Sequence, residues 1–204
     1  MSRALKTIIF LLISVNCISQ TIVLSKYEKR WALWHPFAAL KVKKINTRAF
    51  AVYNEKDLRI VLDNFPGGGK LDAFRHTFFM AAFAQKIKVK KLRKLGIAHE
   101  KGNYRQFLSS ETEEGELPDS LASVMDLQNN ELGFKIGSAN KDSSLASLKT
   151  LVINDITAGK AVIMRRNKNG EYVDCNNARV KKTAPVKKWS LPKCLVRSDY
   201  RYVD

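Results

Sequence analysis

The sequence predicts a mainly α, compact helical domain closed by a small C-terminal β-hairpin. Apolar residues recur at helical spacing in segment after segment between residues 25 and 149. Proline and glycine clusters, which break helices, are confined to a few short stretches. Near the C-terminus an Asn-Gly pair separates two short runs that suit strands.

Residues 25 to 34 read as a short helix carrying Trp31 and Trp34, and Pro36 opens the next one, because proline suits a first helical turn. Ile45, Ala49 and Val52 continue that second helix. Asn64-Phe65-Pro66-Gly67-Gly68-Gly69 is a break. Beyond it, residues 71 to 86 predict a helix with Phe74, Phe78 and Ala81 on one stripe. Residues 88 to 98 predict another, with Val89, Leu92 and Leu95, whose end Gly96 leaves open. The acidic stretch from Ser110 to Ser120, with Gly115 and Pro118, is expected to be a loop long enough to cover a site. Residues 120 to 137 form a further helix, and the helical pattern ends near Gly159-Lys160. Ala161 to Arg166 and Glu171 to Cys175 then flank Asn167-Lys168-Asn169-Gly170 as the arms of a hairpin.

The first residues have a different character. Arg3 and Lys6 precede an apolar run from Ile8 to Ile13, and small side chains at Cys17 and Ser19 suit a peptidase cutting before Gln20. The run is too short for a membrane-spanning helix, which needs ~20 apolar residues. A lipoprotein reading that acylates Cys17 has a poor approach in Ser14-Val15-Asn16. The expected organisation is a signal peptide over 1–19, a helical domain over 20–160 that carries the motifs, and a hairpin with a basic tail over 161–204, packed on the same domain. The product is a periplasmic or secreted protein with no transmembrane span in its mature chain. Outside the reducing cytosol, Cys175 and Cys194 form an even pair and are expected to bond.

The formal charge is +17, or +15 once Arg3 and Lys6 are removed. Such a field favours anionic partners. Lysines and arginines concentrate at Lys86, Lys88, Lys90, Lys91, Arg93 and Lys94, and again at Lys181, Lys182, Lys187, Lys188 and Lys193. Anionic lipid, acidic envelope polymers and nucleic acid all fit this charge, although no aromatic residues interleave with these lysines as a stacking platform would require.

Three short polar motifs stand out. Asp72 and His76 lie four apart, so they share a helix face while Phe74 and Phe78 point to the core. His99-Glu100 follows the second helix of this region. Asp126, Asn129, Asn130 and Gly133 form one stripe, and two asparagines with Gly133 and Gly137 give up ~2–3 kcal/mol of helix propensity relative to alanine. Close backbone approach and a buried polar network would compensate for that loss.

The sequences Asp72-Ala73-Phe74-Arg75-His76, Ala98-His99-Glu100 and Met125-Asp126-Leu127-Gln128-Asn129-Asn130-Glu131-Leu132-Gly133 resemble, in that order, an uncharacterised family of bacterial domains of unknown function. These domains often stand at the C-termini of secreted, wall-associated and toxin-like proteins. His35-Pro36-Phe37-Ala38-Ala39 resembles a further element of the pattern, so the likeness covers roughly residues 35 to 160. Thr77, where alanine is usual, and Gln128 are departures. The resemblance implies a shared helical domain with a common polar site and a weak link to toxin modules, which are often hydrolases, without supplying a reaction.

Two classes of function fit these residues. In the first, a hydrolase, His76 or His99 is the general base, Glu100 a proton carrier, Asp126 and Asn130 orienting groups, and Arg75 the stabiliser of an anionic transition state. Asp72 and Asn129 would contact substrate. A divalent ion, with His76, His99 and Asp126 as candidate ligands, belongs to this reading, although no HExxH or cysteine-pair signature is present. A phosphodiester or phospholipid would suit the basic surface. The absence of a GxSxG element, and cysteines remote from the motifs, set serine and cysteine nucleophiles aside. In the second class the protein is a non-enzymatic binding module for an anionic polymer or membrane surface, and the polar stripes only lock helices together.

Overall fold

The computed structural model describes residues 24–112, 116–180 and 188–202. The expected signal peptide over 1–19 lies outside the described residues, as do Lys181, Lys182 and Lys187. Among the described residues seven helices come first: α1 (Lys26–Trp34), α2 (Pro36–Tyr53), α3 (Lys56–Val61), α4 (Lys70–Ala84), α5 (Val89–Ser109), α6 (Ser120–Ala139) and α7 (Leu145–Thr157). Two short strands follow, β1 (Val162–Met164) and β2 (Leu195–Arg197), so the chain is mainly α with a small antiparallel sheet at its C-terminal end.

Local chemistry sets the helix boundaries. The Ser25 hydroxyl accepts the Glu28 N–H at 3.3 Å while the Glu28 carboxylate accepts the Ser25 N–H at 2.8 Å, a reciprocal cap that starts α1. Pro36 occupies the first turn of α2. Asp119 accepts the N–H groups of Leu121 and Ala122 and starts α6. The α4 start is served from further back, because the Asp63 carboxylate accepts the N–H groups of Lys70 and Leu71. Gly159, at φ +75°, turns the chain out of α7, where the Lys160 N–H returns to the Asp155 carbonyl.

Two boundaries differ from expectation. Helix α5 does not stop near residue 98 but runs on to Ser109, because Gly96 is a packing position rather than a terminator. A Cβ there would sit 3.0 Å from the Asn130 amide nitrogen on α6. The sheet differs as well. The Asn167–Gly170 turn forms and leads to a bridge between Arg166 and Tyr172, but the ladder partner of β1 is β2 rather than residues 171–175. The Asp174 side chain accepts the N–H groups of Asn176 and Ala178, both at 2.8 Å, which bends the chain away just after Val173. Residues 195–197 take the vacated edge, with Ile163 opposite Val196, and a Cys175–Cys194 disulfide spans a Cα separation of 5.0 Å beside it.

Helix α4 is the centre of the molecule. Twelve of its 15 residues are buried, so it has no solvent face and packs on all sides, with Phe74 and Phe78 wholly enclosed. Its contact with α6 is backbone against backbone. A Cβ at Gly133 would collide with the Thr77 carbonyl oxygen, and one at Gly137 with the Ala81 carbonyl oxygen. Thr77 donates to the Asn129 carbonyl at 3.2 Å, and the Asn129 carboxamide exchanges two 2.9 Å bonds with the backbone of Val162, tying β1 to α6.

At an exposed helical position, Gly→Ala gains ~1 kcal/mol of helix propensity. At Gly137 the expected outcome is reversed, because crowding into a filled interior costs ~1–3 kcal/mol and here the obstacle is backbone that cannot rotate away. Gly137→Ala should therefore lower the urea midpoint by the equivalent of about 1–2 kcal/mol. A midpoint equal to or above that of the parent protein contradicts the close contact.

Candidate functional site

The α4–α6 contact brings three polar side chains together in the interior. Asp72 and His76 are one turn apart on α4, and Asp126 reaches them from α6, where a partner helix this close leaves no room for intervening side chains. The His76 Nε2 lies 3.5 Å from Asp72 Oδ1 and 3.3 Å from Asp126 Oδ1. All three residues are buried, and one ligand atom from each falls within 4.8 Å of the others.

Arg75 closes the group. Its Nε and Nη2 donate to Asp72 Oδ1 at 3.2 and 2.8 Å, and Nη2 is 3.3 Å from His76 Nε2. The other Asp72 oxygen accepts the Gly68 N–H at 2.7 Å. Asp72 thus both anchors the glycine turn and holds the guanidinium. Two buried carboxylates need a nearby cation, since each isolated charge would cost several kcal/mol. When Nε2 carries a proton it donates toward the carboxylates; without one it accepts from Arg75.

The remaining predicted residues take different places. His99 lies in the middle of α5, its ring centroid 6.4 Å from that of His76, with Nδ1 held 3.2 Å from Glu28 Oε1 on α1. It stands beside the cluster, whereas Asp72, His76 and Asp126 are the three groups whose donor atoms lie within 4.8 Å of one another. Glu100 is buried and accepts from Asn103 at 3.3 Å on its own helix. Asn130 is buried against Gly96, and its Oδ1 has no hydrogen-bond partner among the described residues. Asn129 was expected to contact substrate, but both its amide atoms are engaged by Val162, which makes it a clamp for β1.

Sequence reasoning missed the layer behind the glycine turn. The Tyr172 hydroxyl is 3.1 Å from the Gly67 carbonyl and 2.8 Å from Glu116 Oε2. The Arg166 guanidinium is sandwiched between Phe65, at 4.4 Å, and Tyr172, at 3.8 Å, and donates to the carbonyls of Gly67 and Gly170. Burial pushes the Tyr172 phenol far up; Arg166 pulls it down, but the Glu116 and Asp72 charges and the Glu116 hydrogen bond push it up further. It therefore stays a neutral hydroxyl across the physiological range. Lys193, one of the C-terminal lysines, has its side chain enclosed, with its ammonium 2.6 Å from Asp119 and over the Tyr172 ring.

The Glu28–His99 contact ties α1 to α5 and makes an acid-sensitive joint. Burial raises the Glu28 carboxyl, but the His99 hydrogen bond and charge, together with Ser25, outweigh it and leave the carboxyl below its usual value. A carboxyl lowered by folding adds stability above its unfolded pKa, and that stability is lost as pH falls through the folded pKa. Thermal melts from neutral pH to below pH 4.5 should therefore show a smaller acid-induced drop for Glu28→Gln than for the parent. Parallel curves would exclude this contribution.

No curated protein and no solved structure matches the chain. Residues 29–160 match the family described as Domain of unknown function (DUF6973), a span that runs from α1 to just past α7 and holds Asp72, Arg75, His76, His99, Glu100 and Asp126. The sheet and the disulfide lie beyond it. The match covers well over half of the chain, and the chain therefore belongs to this family.

Proposed function

We propose that Asp72, His76 and Asp126 hold a divalent metal ion, and that the protein is an exported hydrolase acting on a phosphate-containing substrate. The convergence of two carboxylate oxygens on one imidazole nitrogen carries this reading. Ligand bonds of ~2.0–2.1 Å in a tetrahedral shell set neighbouring donors roughly 3.3 Å apart. The separations of 3.3 and 3.5 Å at His76 Nε2 fit that spacing. Oxygen and imidazole donors without thiolate suit zinc or manganese.

Arg75 is the group an ion must displace. Its guanidinium supplies positive charge directly to the Asp72 carboxylate. With a dication held by Asp72, His76 and Asp126, the Arg75 guanidinium would be left to pair with a phosphate oxygen of the substrate. The ion's chemistry would be to polarise the phosphoryl group and acidify a bound water. His99, held by Glu28 and only partly buried, is placed to carry a proton to or from the site. The formal charge, +17 over the whole sequence and +15 without Arg3 and Lys6, raises the local concentration of anionic substrates. Export is supported by the Arg3, Lys6 and Ile8–Ile13 pattern, and the Cys175–Cys194 bond suits an oxidising compartment.

One observation favours the second reading, a non-enzymatic module for anionic polymers: the bonds of Asp72 to Gly68 and Arg75 also brace the start of α4. Calorimetric titration with zinc and with manganese separates the two. Asp126→Asn, nearly isosteric, should weaken binding by more than about 100-fold, since even residues behind a ligand contribute 10–100-fold. Arg75→Gln should bind metal more tightly, because no guanidinium has to leave Asp72, and should lose phosphodiester hydrolysis. Equal metal binding by the parent and a folded Asp126→Asn variant, judged by near-ultraviolet circular dichroism, would sink the metal centre.

A further inference from the structure

We infer that the end of α1 and the first two turns of α2 form a docking surface for an anionic lipid bilayer. Four large apolar side chains stand in solvent there: Leu33 is 79% exposed, Trp34 71%, Phe37 80% and Leu40 66%. Leu33 and Trp34 close α1, and Phe37 and Leu40 follow across the His35-Pro36 bend, one turn apart on the outer face of α2. Trp31 and Ala38 of the same two helices point inward and are buried, so the helices are already packed and the exposed four are surplus to the core. Adjacent apolar groups of this size left in water mark a contact surface rather than scattered exposure.

Charge identifies the occupant. From Lys29 to Asn54 the chain carries six cations, Lys29, Arg30, Lys41, Lys43, Lys44 and Arg48, and no aspartate or glutamate. All six are exposed. On α2, Lys44 stands one turn beyond Leu40 and two beyond Phe37, on the same outward face. Apolar and aromatic tips inserted at headgroup depth, with lysines reaching the phosphates around them, are the arrangement that an interfacial helix uses on anionic lipid. A second copy of the chain fits less well, since face-to-face pairing would oppose six cations with six. No described helix is long and apolar enough to cross a membrane, so the contact lies in the interface plane. The inference does not depend on the metal centre, because none of these residues belongs to it.

Cosedimentation with phosphatidylcholine vesicles, with and without phosphatidylglycerol, tests this surface. The chain from Gln20 onward retains every described residue and the whole core. Binding to the phosphatidylglycerol vesicles is expected to exceed binding to phosphatidylcholine alone. The double variant Trp34→Ala/Phe37→Ala should weaken it at least about tenfold while its thermal midpoint stays near that of the parent. Lys43→Glu/Lys44→Glu should remove the preference for phosphatidylglycerol. The inference is overturned if the parent ignores both vesicles, if the aromatic variant binds as well as the parent, or if neutral vesicles bind equally. A parent dimer that Trp34→Ala/Phe37→Ala converts to monomer would assign the surface to a second copy instead.

Discussion

The backbone contact between α4 and α6 is the constraint on which the rest of the structure depends. Gly133 and Gly137 remove every atom that would hold the helices apart, and the carbonyls of Thr77 and Ala81 fill the space. An ordinary helix pair sits 8–10 Å apart across interlocking side chains. Here backbone meets backbone at the two glycines, and along the same helix pair a short aspartate on one helix reaches a histidine on the other without a bridging residue. The helix propensity lost at the asparagines and glycines of α6 is offset by this packing and by the bonds of Asn129 to β1 and to Thr77.

Burying two carboxylates beside an imidazole creates the second constraint, the requirement for a cation. Arg75 meets it from the same helix, and the glycine turn before α4 contributes the Gly68 N–H. The turn is itself held from behind by Tyr172 and Arg166, which arrive from the C-terminal segment. That segment lies outside the family match, so the polar cluster is braced by residues beyond the matched span. On the other side, Glu28 holds His99 from α1, the helix whose end carries Leu33 and Trp34. A surface contact at that tip and the neighbourhood of His76 therefore share one rigid element.

Much of this was legible in the sequence. The stripe of Phe74 and Phe78 opposite Asp72 and His76 announced α4, and the cost of Asn129, Asn130, Gly133 and Gly137 pointed to a close, polar contact on α6. Gly96 misled, because glycine as a helix terminator and glycine as a packing position look alike until the neighbour, Asn130, is known. The ladder partner of β1 was hidden for a similar reason: the bend at Asp174 depends on side-chain to backbone bonds that hydrophobic alternation does not report. The partners of His99 and Gly67 are 71 and 105 residues away in sequence, at Glu28 and Tyr172. No local pattern encodes pairings of that range, so the choice of Asp72 over His99 as the third converging group required the fold.

In the proposed function, Asp72, His76 and Asp126 exchange an arginine for a metal ion. The most direct measurement is anomalous X-ray diffraction from crystals grown with manganese. The account predicts a peak bonded to Asp72, His76 Nε2 and Asp126 at roughly 2.0–2.2 Å, with the Arg75 guanidinium displaced from Asp72. A peak elsewhere, or none, with Arg75 Nη2 still 2.8 Å from Asp72 Oδ1, would contradict it and leave the cluster as a structural ion pair.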